Sequence, residues 1–542
     1  MSNFTAFAAL LAAGFSIWRI GRRLRFFLHM HQLEGYGNRP YLERWFGKPF
    51  DAFVRWSHVA GFLIWMAFVW LELPAAVALL AWTVAFASSR RYRRDRPKKP
   101  LVWTPRMKRQ AVAAGILPAV LVGGSMALAG FLWVTGTDPS VLPVLLVLIG
   151  LGMADLNAPV SVLLASMLMA PVEYLLREGF KRSARARLAA RPDLTIVAIT
   201  GSYGKTSVKF AVAEVLGQRF QVLATPGSFN TPMGICKVIN NDLRDHHQIL
   251  ILEMGIRRPG DIAELCAIVR PHYAVVTGVG IAHLESMGSP EAIAREKGSL
   301  LDYLLPGGKA VLNGDDLFYS EMASKAPHLS VSALPYSSVR ADLVASHVQF
   351  DSTGTHFTVT SGTQTAGVSL QLLGRHHVGN ALLALAVGQL LGVRLRSGAH
   401  ALARLKPVPH RLSVREEAGL TILDDAFNSN PVGARNAVEV LGAFAPRGRF
   451  MITPGMVELG ERELEENQAL GAFMVGRVDQ AILVGPARTA AISAGLREAG
   501  MPPERVHIVS TLFEAREVLR QLAQPGDVVL YENDLPDQYT EA

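Results

Sequence analysis

The sequence predicts an α-helical membrane domain followed by two α/β domains: a P-loop central domain with a parallel sheet, and a smaller Rossmann-like domain at the C-terminus. Three observations carry this expectation. Apolar residues crowd into the first 180 positions, and beyond about residue 193 short β-rich runs alternate with helical segments. The run "AITGSYGKTSVK", Ala198 to Lys209, then places a glycine-flanked Lys-Thr pair at the end of the first such strand. The expected boundaries are 1–180 for the membrane domain, 181–408 for the central domain and 409–542 for the C-terminal one.

The membrane domain rests on composition. With 542 residues, 50% hydrophobic and 18% charged, and a mean hydropathy of +0.24, the chain is too apolar for an ordinary soluble enzyme of its length. Five stretches have the roughly 17 to 25 residues a membrane helix needs: 3–20, 57–73, 74–89, 110–134 and 138–156. The second and third meet at "LELP", a tight hairpin. A further run, "APVSVLLASMLMAPVEYLL", is expected to break at Pro171 and to be interfacial, re-entrant or a sixth span.

Charge orients these spans. A first basic loop holds Arg19, Arg22, Arg23 and Arg25, and a second reads "RRYRRDRPKKP" and continues to Arg106, Lys108 and Arg109. The opposite loops, around Glu72 and "TGTDPS", have no basic residue. Short basic loops stay inside. The expectation is a multi-pass protein of a bacterial-type inner membrane, with everything after "REGFKRSARARLAARPD" in the cytoplasm and membrane lipids as partners. The net charge of +9 is explained by topology and anionic headgroups, and no reader motif or aromatic platform points to nucleic acid. No basic n-region or cleavage site marks a signal peptide. Few ionisable residues lie within the expected spans, which argues against a transporter or nucleotide-regulated scaffold. Cys236 and Cys266, the only two cysteines, are expected to be reduced core thiols.

The strands of the central domain are "DLTIVAIT", "QILILEMG", "HYAVVTGVG" and "GKAVLNGDD", with helices between them, which is the grammar of a parallel sheet with ligands at the strands' C-terminal ends. "HVQFDSTGTHFTVTSG" reads as an antiparallel hairpin appended to it. After residue 409 a second set follows in "LTILDDAFN", "RFMITPGM", "QAILVG", "RVHIVS" and "DVVLYEN".

The loop after the first strand takes a short form, Gly201-Ser202-Tyr203-Gly204-Lys205-Thr206, since Ile199 stands where the common pattern has its first glycine. Gly201 and Gly204 let the backbone wrap phosphate oxygens, Lys205 brings a cation to the β and γ groups, and Thr206 offers its hydroxyl to Mg²⁺. Ser202 and Ser207 complete the nucleotide-binding set. Glu253 in "LEMG" and His283 in "GIAHLESMG" follow other strands and are candidate metal ligands, because sheet-end residues converge on one crevice and Mg²⁺ needs hard ligands.

Eight segments, "TGSYGKTSVK", "PGSFNTPMGI", "LEMG", "AHLESMGSPEAIAREKGSLL", "LNGDD", "GRHHVGNALLALA", "PHRLS" and "LDDAFNSNP", resemble in order and spacing the motifs of the Mur ligase family over residues 193 to 535. "DDAFNSNP" and "GMVELGE" look most similar to the branch that adds D-alanyl-D-alanine to a UDP-N-acetylmuramoyl tripeptide. The resemblance implies ATP and Mg²⁺ as cofactors, and ATP-dependent amide formation through an acyl phosphate on a cell-wall precursor, with an amino acid or dipeptide as second substrate. It implies Lys205, Lys297, His283 and Arg411 as catalytic residues, with Thr206, Glu253, His283 and a carbamylated Lys297 at metal. By the same resemblance Asn380 contacts adenine, Arg411 a phosphate and Asp425 the ribose; Ser228, Asn230, Thr231, Asn428 and Asn430 face the substrates. Beside Glu296, Lys297 could otherwise be a surface ion pair.

Three features depart from the family pattern. His377 replaces an asparagine beside the adenine, "LYENDLPDQY" lacks a basic "KGSR"-like segment, and apolar spans stand where the family carries a soluble UDP-binding domain. A membrane-anchored acceptor is therefore expected, the alternative being spans that merely anchor an enzyme with a soluble substrate. A poly-γ-glutamate or folylpolyglutamate type synthase would share the loop but not "LDDAFNSNP" or "GMVELGE".

Overall fold

The computed structural model describes residues 3–46, 56–71, 74–88, 100–135, 142–227, 229–280, 284–333, 340–351, 354–406, 412–426, 429–444, 447–457 and 459–533. Two compact units emerge, Met1–Leu176 and Arg177–Ala542.

The first unit is helical. Its longest apolar elements among the described residues are Pro105–Val134, which changes from one helix to the next at Gly115, and Ala158–Ala189, which continues into the second unit; both are long and apolar enough to cross a membrane. Trp56–Trp70, Ala75–Ser88 and Leu142–Leu156 are apolar but shorter. Two local expectations are corrected. Pro171 lies inside Ala158–Ala189 and does not end it: one missing N–H costs about 3 kcal/mol, which the ladder on either side outweighs. The first basic loop is no loop, because helix Asn3–Leu33 runs through Arg19, Arg22, Arg23 and Arg25. Arg19 and Arg23, one turn apart and so on one face, are buried, whereas Arg22 and Arg25 are exposed. Phe27, Leu28, Tyr41, Met107, Ala158 and Val162 form the largest apolar cluster of this unit. The basic segment 90–99 and residues 136–140 of "TGTDPS" lie outside the described residues.

The second unit contains two sheets. Strands β1 (Thr195–Thr200), β2 (Val222–Ala224), β3 (Ile249–Glu253), β4 (Tyr273–Val276), β5 (Lys309–Asn313), β6 (His328–Ser332), β7 (Leu343–Asp351), β8 (Gly354–Ser361) and β9 (Gln364–Leu370) form the first, in the order β2-β3-β1-β4-β5-β6-β7-β8-β9. Pairings from β2 to β7 are parallel, and β7-β8-β9 are antiparallel, so the predicted hairpin extends the sheet by a third strand. A parallel sheet needs cover on both faces, which is why β1 is a continuous apolar run. Val197 and Ile199 pack on one side with Val208, Val212 and Val215 of helix Lys205–Leu216. Ile196 and Ala198 pack on the other with Ile235, Ile239 and Leu265. The chain leaves β1 toward β2 and later crosses to β4 on β1's other side, so the loop after β1 sits at a topological switch point.

The second sheet runs β10 (Ser413–Glu417), β11 (Leu420–Asp425), β15 (Val528–Glu532), β12 (Arg449–Thr453), β13 (Gln480–Val484), β14 (Val506–Val509). Its pairings are parallel except for β10 with β11.

Candidate functional site

The loop between β1 and helix Lys205–Leu216 is shaped for close approach by a ligand. Gly204 caps the helix at φ +75°, and a Cβ there would stand 2.6 Å from Asn380 Oδ1. Gly201 has φ +148°, and a Cβ there would collide with the Thr277 hydroxyl. The loop is pinned from beneath: Ser202 N donates to Gly278 O (2.7 Å), Gly280 N donates to Ser202 Oγ (2.8 Å), and the Thr277 hydroxyl donates to Tyr203 O. Asp316 holds the same neighbouring loop through Val279 N at 2.5 Å. The helix N-terminus and its N–H groups are thereby left facing the crevice.

Register explains the acidic partner. Ile199 of β1 lies opposite Glu253 of β3, so that carboxylate emerges beside the loop. Buried to 1% exposure, it accepts hydrogen bonds from Thr206 Oγ1 (2.9 Å) and Asn230 Nδ2 (3.2 Å) and lies 3.4 Å from Lys209 Nζ. Lys209 is fully buried too and also donates to Gly227 O. Its pKa falls below the ordinary lysine value because burial disfavours the charge, an effect that Glu253 opposes. Lys205 Nζ donates to Gly201 O (2.7 Å) and Ser202 O (3.3 Å), folded over the loop it would share with phosphate. Ser207 is half-buried in the first turn of the same helix.

Lys297 resolves differently from a surface ion pair. It ends helix Pro290–Gly298 at 1% exposure, and among the described residues no hydrogen bond or ion pair engages its Nζ. Glu296 turns away, accepting from Gly260 N (3.0 Å) and Ile262 N (2.9 Å) at the start of helix Asp261–Cys266. Burial, and then the positive charge of Lys205, push the Lys297 pKa well below the ordinary value, against a smaller pull from Glu296. A neutral, nucleophilic amine in this position is what capture of CO₂ requires.

These residues fit a magnesium nucleotide. Among the described residues no group of three His, Cys, Asp or Glu gathers to cage a metal, but Thr206 and Glu253 supply a hydroxyl and a carboxylate at the mouth of the loop. Mg²⁺ is held in that way, by one or two protein oxygens with phosphates and water completing the shell.

The structure brings together Gly201, Ser202, Gly204, Lys205, Thr206, Asn230, Glu253 and Asn380, with Lys297 within electrostatic reach of Lys205. Asn230 also ties the next turn, its carbonyl accepting from Gly255 N at 3.0 Å. Thr231 and Asn430 act as helix caps, accepting from Gly234 N (3.3 Å) and Gly433 N (2.9 Å). His377 is buried on the helix that carries Asn380. Asp425 ends β11 in the second sheet, where its Oδ1 accepts from Leu412 N at 3.0 Å. Ser228, His283, Arg411 and Asn428 lie outside the described residues.

Sequence reasoning missed Lys209 and a knot in the second sheet. Ser429 Oγ donates to Glu532 Oε1 (2.5 Å), Ser429 N to Asn533 Oδ1 (3.1 Å), and Asn533 Nδ2 to Gly455 O (2.5 Å), joining the loops after β11, β12 and β15. Burial, and then the neighbouring Asp425, hold the Glu532 carboxyl well above its usual range. The signal for Lys209 was a lysine four residues after Lys205 on an otherwise apolar helix face.

Two sequence profiles match the chain: the Mur ligase middle domain over residues 199–388, and the Mur ligase glutamate ligase domain over residues 410–531. The UDP-N-acetylmuramoyl-tripeptide–D-alanyl-D-alanine ligase of Mycobacterium leprae is 36% identical over 365 residues, covering 62% of this chain and 70% of the relative. The enzyme of the same name from Escherichia coli K12 is 33% identical over 292 residues, covering 54% and 64%. Among solved structures, MurF ligase from Thermotoga maritima in complex with ADP superposes with a TM-score of 0.60 at 29% identity, covering 67% of this chain and 81% of that one.

Proposed function

This chain belongs to the Mur ligase family, and on that footing we propose that it joins D-alanyl-D-alanine, or a related amino acid unit, to a muramoyl-peptide cell-wall precursor. The reaction is an ATP-dependent, ADP-forming ligation. A precursor carboxylate attacks the γ-phosphorus of ATP, forming an acyl phosphate and releasing ADP; the amine of the second substrate then attacks the acyl carbon, phosphate leaves, and a proton is lost from nitrogen.

The chain's own residues would serve this chemistry as follows. The Gly201–Gly204 backbone cradles the phosphates and Lys205 offsets their repulsion toward an approaching carboxylate. Thr206 and Glu253 would hold Mg²⁺, which supplies charge neutralisation when bound. Lys297, carbamylated, would add an anionic oxygen donor; His283 would join as a further ligand. Asn380 would contact adenine, Asp425 the ribose and Arg411 a phosphate, while Asn230 and Thr231 shape the acceptor side together with Ser228, Asn428 and Asn430. Closure of the second sheet's domain over the first would exclude water from the acyl phosphate. The observation that carries the reading is Lys297: a fully buried amine next to the phosphate loop has no structural use as a cation.

The helical unit would place this ligase at a membrane with its catalytic domains cytoplasmic, the 1–180, 181–408 and 409–542 organisation being its domain plan. Support comes from large apolar side chains left exposed on Pro105–Val134, among them Val112, Val120, Met126 and Phe131. The acceptor would then be membrane-anchored, a polyprenyl-linked precursor. Reconstituted protein offered soluble UDP-muramoyl tripeptide and its lipid-linked counterpart in parallel tests this. Preferred turnover of the lipid-linked acceptor is expected; comparable turnover of the soluble one contradicts the anchored acceptor, and turnover of neither contradicts the ligase assignment.

A further inference from the structure

The turn that follows β3 is tied down along its length and carries two arginines whose side chains hold nothing. Residues 254–260 leave the strand after Glu253 and lead into helix Asp261–Cys266. One end is fastened to the acceptor side of the crevice. There Gly255 N donates to Asn230 O (3.0 Å), and a Cβ on Gly255 would stand 2.8 Å from Asn230 Cγ, so the two loops pack without a gap. The other end is fastened to the helix that carries Lys297, because Gly260 N and Ile262 N both donate to the Glu296 carboxylate. Between them Asp261 Oδ2 accepts from Arg257 N (2.6 Å) and Arg258 N (2.9 Å).

The acids of this turn are therefore spent on main-chain amides. Among the described residues no hydrogen bond, ion pair or ring contact engages the side chain of Arg257 or Arg258, and both are exposed. A single exposed arginine is ordinary. Two in succession on a backbone fixed in this way are different, since a ligand has only their side chains left to order. Guanidiniums grip carboxylate or phosphate through paired N–H donors. Arg257 comes four residues after Glu253, at most about 14 Å of extended chain, so one molecule can reach both the nucleotide and this turn. Lys237 adds a third exposed cation: its Nζ lies 5.3 Å from the ring centroid of Phe229, the neighbour of Asn230 in sequence, and no ion pair engages it among the described residues.

We propose that Arg257 and Arg258, with Lys237 adding charge beside them, form a subsite for an oxyanion of the acceptor other than the carboxylate that reacts. The reacting carboxylate is taken by the γ-phosphorus at the Gly201–Thr206 loop, and the turn grips the same molecule at a second point. Two groups share the required chemistry, a non-reacting carboxylate of the peptide stem and the pyrophosphate of the carrier. The inference rests on the reading of this chain as a muramoyl-peptide ligase with Asn230 on its acceptor side, and it adds to that reading the anchor that holds the acceptor while its carboxylate is activated.

The test measures equilibrium binding to the full chain in nanodiscs, saturated with Mg²⁺ and a non-hydrolysable ATP analogue. Three probes are compared: a muramoyl tripeptide, the same peptide with every carboxylate except the reacting one amidated, and its UDP-linked form. If the oxyanion is a stem carboxylate, wild type binds the amidated peptide about tenfold more weakly than the free one. If it is the carrier pyrophosphate, wild type binds the UDP-linked form about tenfold more tightly. In either case the protein carrying Arg257→Gln and Arg258→Gln together should lose that preference and keep its affinity for the ATP analogue within about twofold. A wild type with neither preference overturns the subsite, and so does a glutamine variant that retains the preference. A variant that weakens all three probes equally reduces the arginines to a general field, and one that also loses the ATP analogue reduces them to a support of the turn; both results overturn it as well. Ligase turnover is assayed on the same wild-type protein. An active ligase with any of these overturning results sinks this inference alone, whereas a protein that extends no muramoyl peptide sinks the ligase reading on which it rests.

Discussion

Lys297 offers the sharpest perturbation, because its burial makes opposite demands on stability and on activity. With no partner engaging its ammonium among the described residues and its pKa well below the ordinary lysine value, the native state sheds a proton that the unfolded chain keeps up to about pH 10.4. Unfolded protein therefore binds more protons throughout the interval between the lowered native pKa and the ordinary one. Stability should rise with pH across that window, by at most about 1.4 kcal/mol per pH unit. Lys297→Met fills similar space without the charge, so its unfolding free energy in CO₂-free, Mg²⁺-free buffer should lose this rise and be no lower than wild type near pH 7. Activity should move the other way. Losing a preorganised group that stabilises developing charge costs roughly 10² to 10³ in kcat, about 2.7–4 kcal/mol, and Lys297→Ala and Lys297→Met should both fall in that range. A short carboxylic acid should restore part of the alanine variant's rate by occupying the vacated position. Lys297→Arg should not recover activity, since a guanidinium cannot become a carboxylate. Urea titrations across pH and ADP release by coupled assay are the measurements. An arginine variant near wild-type rate, or a methionine variant several kcal/mol less stable, would refute the reasoning.

Other perturbations separate fold from chemistry in the same way. Lys205→Ala should abolish ATP turnover with the thermal midpoint unchanged, read by calorimetry, because the side chain lies over the loop and fills no core. Gly204→Ala, forced to a positive φ with its Cβ 2.6 Å from Asn380 Oδ1, should cost about 1–3 kcal/mol and eliminate nucleotide binding by titration calorimetry. Glu253→Gln strands Lys209 and should destabilise by about 3–5 kcal/mol; adding Lys209→Met should recover most of that stability in denaturant titrations without recovering turnover. Glu532 titrates with the opposite sign to Lys297. Its raised native pKa means that the folded state binds the extra proton, so its contribution is complete below about pH 4.3 and fades as pH rises toward the native pKa. Glu532→Gln should flatten that decline.

Much of the catalytic unit was legible because its signals are local and periodic. β1 is an apolar run followed by a loop with two glycines at positive φ, and the parallel strands of the central sheet end on the same side of it as that loop. Glu253 could be named as a candidate only because the phosphate loop lies beside it, since an isolated strand-end carboxylate is usually a solvated one. What was hidden depends on tertiary neighbours. Lys297 and Glu296 look like a surface pair until one is buried and the other is drawn to the N-terminus of a separate helix. Strand β2 is three residues long, and β10 is a charged edge strand exposed along almost its whole length. Arg19 and Arg23 looked like loop residues because arginine is rarely buried; their ion pairs with Asp155, 132 residues after Arg23, are tertiary contacts that no local reading reveals. Thr231 and Asn430 carry a double meaning, as the helix-capping residue types are also those that face substrates.

The central claim is that this chain spends ATP to join an amine to a muramoyl peptide. The most direct measurement is ADP release by the purified full-length protein against a panel of muramoyl peptides, each with D-alanyl-D-alanine, other dipeptides or free amino acids, with product mass read in parallel. The account predicts one ADP for each peptide bond formed, only when both acceptor and amine are present, and none from Lys205→Ala. ADP release that ignores both substrates, or a panel in which no muramoyl peptide is extended, would contradict it.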